Sequence, residues 1–183
     1  MSWSLGIPTA PSEPVVSTAD AKAHLRVVGS ADDTYIASLV LAATYFVQHY
    51  TGRLVYDQTI SEYHDEFPVD RVLQLHVYPI TGAVVKYFDG VDDDVYADVD
   101  TADYYVNARS MPPSVEAKSA WPSADNRQGA VQVQVTGGDT TPLPEIIHAI
   151  KIIVGHWHDQ PEETSIGIPA AAKALLLQHR LFR

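Results

Sequence analysis

The sequence lacks cysteine altogether and is poor in basic residues. Without cysteine the chain forms no disulfide, carries no thiol nucleophile and cannot build a cysteine-ligated zinc site, which fits assembly in a reducing cytoplasm. Lys and Arg number 12 against 23 Asp and Glu, which gives a formal net charge of −11. Because proteins that grip nucleic acid need clusters of Lys and Arg to displace counterions, this balance excludes tight wrapping of DNA.

Long apolar runs are missing as well. The longest uninterrupted run of apolar or small residues falls well short of the roughly 18 residues that predict a membrane span. The N-terminus has neither a basic start nor a long apolar stretch, so we expect no secretion signal and no membrane partner. Pro8, Pro11 and Pro14 pull their predecessors towards extended geometry, which predicts a flexible arm over residues 1–15.

The first strong periodic pattern lies between Ser30 and Gly52. Apolar residues recur there at spacings of three and four, which predicts an amphipathic helix over about residues 31–51. The apolar stripe consists of Ile36, Leu39, Val40, Ala43, Phe46, Val47 and Tyr50. Ser30 is placed to cap this helix, with Asp33 completing an acidic variant of the capping box, and Gly52 is placed to end it.

The rest of the chain contains both helical spacing and strand-like alternation of apolar residues. A shorter helix over about residues 17–28 should pack against the first as a helix pair. Alternation of apolar and polar residues over 54–136 predicts a small antiparallel sheet, interrupted by an irregular, proline-rich connection at 111–128. Helical spacing returns over about residues 144–159. We therefore predict an α+β fold, mainly helical with a small antiparallel β-sheet insertion, with one domain over residues 16–160.

The chain end carries more apolar surface than one helix face can bury. Residues 161–183 are expected to form a linker and a last helix that Pro169 opens. Leu175, Leu176 and Leu177 are consecutive, so a helix with a single buried face leaves part of this surface uncovered. Uncovered apolar surface at a chain end suggests a protein partner. A helix folded back on its own domain is the alternative.

No catalytic motif is present. The chain has no GxxxxGK[ST] or GxGxxG nucleotide loop and no GxSxG elbow. The metal candidates are His148, His156 and His158. The first two lie eight residues apart, whereas HExxH sites place their ligands four apart on one helix face. Neighbouring His64, Asp65 and Glu66 would point to opposite faces of a strand. We expect no enzyme, no catalytic residue, no metal and no cofactor.

Four segments follow one another in a recognisable order. They are VSTADAKAHLRV at residues 16–27, ADD opening a long helix that ends in HYTGR at 49–53, Trp121 and Pro122 before a valine-alternating strand, and IPAAAKALLLQHR at 168–180. In their order and spacing they resemble the head–tail connector (adaptor, or head-completion) proteins of tailed bacteriophages. The resemblance covers nearly the whole chain from Val16 onward, and no single motif carries it.

The resemblance implies a structural protein of the phage neck, located in the virion and assembled in the host cytoplasm. Such proteins form a ring, generally a dodecamer, between the portal and the stopper or tail-completion protein. The ring extends the DNA channel, through which DNA passes without specific binding, and completes the head for tail joining. In that family the C-terminal segment docks on the portal. The resemblance therefore assigns portal docking to Ile168, Leu175, Leu176, Leu177, Arg180, Leu181, Phe182 and Arg183.

Two other classes of function stay open at this point. The β-rich middle is also compatible with a small-ligand or carbohydrate-binding module, which would act as a monomer that binds sugar. A metal hydrolase that uses the C-terminal histidines is a weaker third interpretation, and stoichiometric zinc in the purified protein would support it.

Overall fold

The computed structural model describes residues 3–6, 14–91, 95–160 and 167–181. These residues form four α-helices and eight β-strands, so the predicted α+β class is confirmed. In chain order the elements are β1 (Trp3–Leu5), α1 (Thr18–Leu25), α2 (Asp33–Thr51), β2 (Gln58–His64), β3 (Val72–Gln74), β4 (Ile80–Tyr87), β5 (Ala97–Asp98), β6 (Tyr104–Asn107), β7 (Ser114–Ala117), β8 (Val131–Gly137), α3 (Pro144–Asp159) and α4 (Ala170–Leu177). The strands are more prominent than a small insertion in a mainly helical fold would be.

The chain divides into two compact units. The described residues within 11–56 and 139–182 form a helical unit with α1, α2, α3 and α4. The described residues within 1–10 and 57–138 form a strand unit with all eight strands. The prediction of one connector domain over residues 16–160 cuts across this division and stays a prediction. None of the described helices is long and apolar enough to cross a membrane.

The helix α1 starts where its sequence predicts and ends earlier. The Ser17 side-chain oxygen accepts a hydrogen bond from the backbone N–H of Asp20 at 3.0 Å, which confirms the predicted cap. The helix ends at Leu25 because Arg26 adopts a left-handed conformation with φ of 59°. The predicted extension to residue 28 is therefore wrong, and Val28 is 97% exposed.

The helix α2 is nearly as long as predicted but begins without the expected cap. It starts at Asp33 rather than at residue 31, and the predicted Ser30 capping box does not form. The reason is that the Asp33 carboxylate pairs with Lys22 Nζ at 2.5 Å instead of reaching back towards Ser30. At the other end Gly52 is left-handed, with φ of 71°, and donates its N–H to Gln48 O at 2.8 Å. The predicted glycine stop is confirmed.

All four helices of the helical unit share one apolar core. Each large aliphatic side chain buried there stabilises the fold by about 1.5–3 kcal/mol relative to leaving it exposed. Its central side chains are no more than 2% exposed, and they are Ile36, Val40, Val47, Ile146, Ile150, Ile153 and Leu176. A fork-shaped ion pair adds to this packing, since Arg53 Nε and Nη2 donate to the two Asp139 carboxylate oxygens at 2.9 and 2.8 Å.

The strand unit contains two antiparallel sheets. The larger has the order β1-β2-β8-β4-β5 and the smaller the order β3-β7-β6. Val131, Val133 and Val135 of the central strand β8 are fully buried, so the alternation predicted there is confirmed. Gly137 is the last residue of β8, and a Cβ at that position would lie 2.2 Å from Pro79 O, just before β4. Only glycine permits this close approach.

Two segments predicted to be irregular are strands. Trp3–Leu5 pairs with β2, and Gly6 N–H donates to Ser61 O at 2.7 Å, so the flexible arm predicted over residues 1–15 is wrong at this point. The free edge of β2 supplies the pairing groups, which no local pattern in the arm reveals. Within the predicted connection at 111–128, Ser114–Ala117 forms β7 between two partner strands. The flanking prolines conceal this short alternation from sequence reasoning.

Candidate functional site

The eight residues predicted to dock on the portal do not form one exposed surface. Leu176 and Leu181 are 0% and 8% exposed, Ile168 and Leu175 pack partly buried against the helical core, Leu177 and Arg180 are exposed, and Phe182 and Arg183 lie outside the described residues. Consecutive helical residues are about 100° apart around the axis. Leu176 therefore points into the core, Leu175 to its margin and Leu177 to solvent.

The segment after α4 is tied to the end of α2. The Leu181 backbone N–H donates to Thr51 O at 2.7 Å. The Arg180 guanidinium lies 5.1 Å from the centre of the Tyr50 ring, within range of a cation–π contact worth about 0.5–1 kcal/mol at an exposed site. In this structure the described part of the segment is thus folded back on its own unit, and Leu176 and Leu181 cannot contact a partner without leaving the core.

What stays accessible at the chain end is a mixed apolar and basic surface. We call the exposed residues Lys173, Ala174, Leu177 and Arg180 the C-terminal surface. Leu177, the large apolar residue of this surface, is 50% exposed. Two positive charges on this surface contrast with the net charge of −11 for the whole chain. A surface of this kind fits a partner that offers an apolar contact beside carboxylates.

Sequence reasoning missed a buried acid in the strand unit. The Glu62 side chain is 0% exposed. It accepts from His76 twice, from the backbone N–H at 2.7 Å and at the ring Nδ1 at 3.1 Å, and His64 Nε2 lies 3.7 Å from Glu62 Oε2. Burial alone raises the pKa of the Glu62 carboxyl, but these histidines outweigh it and lower the pKa below its usual range. The sequence signal that could have revealed Glu62 is an acidic residue at a position of an alternating strand whose side chain points inward.

This cluster also contacts the N-terminal strand β1 through His76. The Trp3 ring stacks on the His76 ring with centroids 3.8 Å apart and planes 6° apart. The stack covers one face of the His76 ring, whose Nδ1 atom hydrogen-bonds Glu62. The neighbouring residues His64, Asp65 and Glu66, which the sequence placed on opposite faces of a strand, are separated here: His64 is buried, Glu66 is exposed and Asp65 accepts the Gly129 N–H at 2.9 Å.

The C-terminal histidines do not converge. His148 makes an edge contact with His24 at 6.2 Å, and the His158 Nδ1 atom lies 3.5 Å from an Asp159 carboxylate oxygen. Among the described residues no group of three or more His, Cys, Asp or Glu is placed to hold a metal ion.

The strand unit has one cavity whose lining fits the carbohydrate-binding alternative. It measures about 400 Å³ and is lined by Trp3, Ser4, Tyr63, Asp65, Tyr96, Gln128 and Gly129. Two of its polar groups are engaged within the chain, since the Tyr96 hydroxyl donates to Gly129 O at 2.8 Å and the Asp65 carboxylate accepts the Gly129 N–H. A sugar that used these two groups would compete with those hydrogen bonds.

Comparison with known proteins agrees with the resemblance seen in the sequence. The family model of the phage gp6-like head-tail connector protein matches residues 17–117. No curated protein matches the chain significantly.

The fold is shared with solved neck structures. One similar chain comes from the neck of an empty gene transfer agent particle computed with C6 symmetry, at TM-score 0.80 and 19% identity, covering 98% of this chain and 96% of that one. A second comes from the virion of a native gene transfer agent particle, at TM-score 0.78 and 19% identity, with the same coverage. A third comes from the neck of a native particle computed with C12 symmetry, at TM-score 0.71 and 15% identity, covering 97% of each chain.

The family match spans more than half of the chain, from the cap of α1 to the end of β7. It includes the helix pair and most strands of both sheets, so it does not rest on one element. The chain belongs to the phage gp6-like head-tail connector protein family.

Proposed function

We propose that this protein is a non-enzymatic neck component that forms a ring between the portal and the stopper or tail of a phage or phage-like particle. The observation that carries the proposal is the family match over residues 17–117. Support comes from the shared fold with chains from particle necks computed with six-fold and twelve-fold symmetry. A ring of twelve copies in the virion is the assembly that we propose for this chain.

The charge of the chain suits a channel for DNA. At a net charge of −11 per copy, a lumen lined by this protein repels phosphates and does not hold passing DNA. Specific DNA binding would require base-reading or phosphate-neutralising clusters of Lys and Arg, and the sequence has none. The ring thus extends the channel without gripping its contents.

We assign portal docking to the C-terminal surface together with the chain end. Leu177 and Arg180 are the accessible members of the predicted set, and Phe182 and Arg183 belong to the same proposal although they lie outside the described residues. Leu176 and Leu181 serve docking indirectly, because their burial holds the surface in place. The opposite side of the ring then offers a platform to the stopper or tail-completion protein.

Particles assembled without this protein test the neck role. We expect filled heads that leak DNA and carry no tails, seen by electron microscopy, and rescue when the wild-type chain is supplied. Tailed, DNA-retaining particles made in its absence would contradict the proposal.

Point variants test the docking assignment more cleanly than truncation. Removing residues 168–183 also removes the buried Leu176, so lost binding would not separate docking from folding. The double variant Leu177→Glu/Arg180→Glu alters only exposed side chains, and we expect it to fold normally but lose portal association in a pull-down assay. A matched control is Glu145→Gln/His148→Gln on the exposed side of α3, which should keep portal binding. Unchanged portal binding by the double variant would contradict the assignment.

A further inference from the structure

Beyond its first residue, Asp33, the helix α2 carries no Asp, Glu, Lys or Arg. Each of the other described helices carries charged residues within it, such as Asp20 in α1, Lys151 in α3 and Lys173 in α4. A solvent-facing helix side normally carries charged residues, so an outward side that lacks them beyond the first residue is unusual for a surface that only meets water.

This uncharged side is accessible and is not needed for the core. Seven residues of α2 are exposed, among them Tyr35 and His49, and we call the other five the α2 outer face: Thr34, Ala37, Ser38, Leu41 and Ala42. Leu41, the large aliphatic residue of this face, is 42% exposed. The core contacts come from the opposite side, where Ile36, Val40 and Val47 are no more than 2% exposed. The helix therefore has an apolar side that packs in the core and an uncharged outward side that is exposed among the described residues.

The net charge of the chain indicates which partner covers the outward side of α2. Copies that each carry −11 repel one another, so the surfaces on which they meet must be free of like charges. The α2 outer face meets this condition. The C-terminal surface differs from it, since Lys173 and Arg180 make it suited to an acidic partner.

We propose that the α2 outer face is a contact surface between neighbouring copies of this chain. The inference rests on the proposed ring, and it names one of the two surfaces that such a ring needs. In a cyclic assembly with more than two copies the interface is heterologous, so this face packs on a different patch of the neighbour. Each copy contributes its α2 outer face to one neighbour only.

A cysteine reporter tests the contact directly, because the chain has no cysteine of its own. The variant Ser38→Cys is a near-isosteric change on the α2 outer face, and its thiol should react with a maleimide probe in the dissociated chain. In particles or rings that contain the variant, we expect labelling to slow by roughly tenfold or more, because the thiol reacts only when the contact opens. Val28→Cys, at a position that is 97% exposed, provides the control for general access of the probe.

A photo-crosslinker on the same thiol identifies the occupant. With benzophenone-maleimide at residue 38 of the assembled protein, we expect a crosslinked product with the mass of two copies of this chain. Labelling at the same rate in assembled and dissociated protein would overturn the inference. So would a product that joins the chain to another protein, such as the portal.

A charge substitution separates this inference from the neck role itself. We expect Leu41→Glu to fold normally but to lose ring assembly, whereas Val28→Glu, which introduces the same charge at a position that is 97% exposed and belongs to neither named surface, keeps it. If Leu41→Glu assembles like the wild type, the inference fails and the neck role stands. If the wild-type chain itself enters no ring and no particle, both fail.

Discussion

At the scale of single residues, Glu62 shows how a buried charge is retained. A carboxylate that is removed from water costs several kcal/mol unless nearby groups offset this penalty. His76 does so with two hydrogen bonds, and His64 Nε2 lies 3.7 Å from the Glu62 carboxylate. The result is a carboxyl group whose pKa is lowered although it is fully buried. Trp3 then stacks on His76, so the same cluster anchors the N-terminal strand.

The pH dependence of stability should reveal this carboxylate. A group with a lowered folded pKa contributes stability above its unfolded value of 4.5, and the contribution is lost as pH falls through the folded pKa. At about pH 7 we expect Glu62→Gln to reduce the free energy of unfolding by about 1–3 kcal/mol, as for a buried hydrogen-bonding group left without its partner. The gap to the wild type should close in urea titrations at successively lower pH.

Glu66→Gln is the matched control, because Glu66 lies nearby and is exposed. It should leave the pH dependence of stability unchanged. A gap between wild type and Glu62→Gln that is constant with pH would contradict an ionised Glu62.

At the scale of elements, two short segments depend on contacts made far along the chain. The strand β1 has three residues and exists because the edge of β2 offers hydrogen bonds and His76 offers a ring to stack on. The helix α4 has eight residues, which is too short for a stable isolated helix, and burial of Leu176 and Ala172 holds it.

The Trp3 anchor predicts how firmly β1 is held. Trp3→Ala removes a stacked pair worth about 0.5–1.5 kcal/mol, so opening of β1 should become more frequent by up to roughly tenfold. Amide hydrogen exchange at Gly6, whose N–H bonds to Ser61 O, measures this opening. Ser4→Ala, at the exposed position of the same strand, should leave the exchange rate unchanged. Unaltered exchange in Trp3→Ala would show that the backbone pairing alone holds the strand.

The adjacent leucines of α4 should differ sharply in their effect on stability. Leu176→Ala creates a cavity in a packed core and should lower the free energy of unfolding by about 2–5 kcal/mol. Leu177→Ala changes a half-exposed side chain and should stay within about 0.5 kcal/mol of the wild type. Thermal or denaturant unfolding of the two variants compares them directly, and equal losses would mean that α4 packs differently.

At the scale of the whole molecule, charge decides how copies meet. In the proposed ring, copies that each carry a net charge of −11 meet against their own repulsion, so contacts between them must be uncharged or locally complementary. The proposed contact through the α2 outer face meets this condition because its five residues are uncharged. The C-terminal surface, with its two basic residues, is assigned instead to docking on the portal.

Salt should therefore strengthen ring assembly. Raising sodium chloride from about 0.1 M to about 1 M shortens the Debye length from about 10 Å to about 3 Å and screens the repulsion between copies. We expect the ring fraction measured by mass photometry to rise over this range at constant protein concentration. If the ring fraction falls instead, ion pairs rather than the uncharged face dominate the contact between copies.

Local pattern in the sequence was sufficient for the α+β class, for the extents of α2 and α3 to within two residues, for the glycine stop at Gly52 and for the buried valines of β8. These features depend on periodicity and on capping, which act over a few neighbouring residues. Only the tertiary structure decided that Trp3–Leu5 is a strand, that Glu62 is a buried carboxylate between two histidines, and that Leu176 faces inward while Leu177 faces out. The reason is that these features depend on residues distant in sequence. Such residues supply the partner strand at a sheet edge, offset the burial of a charge and decide which side of a helix is buried.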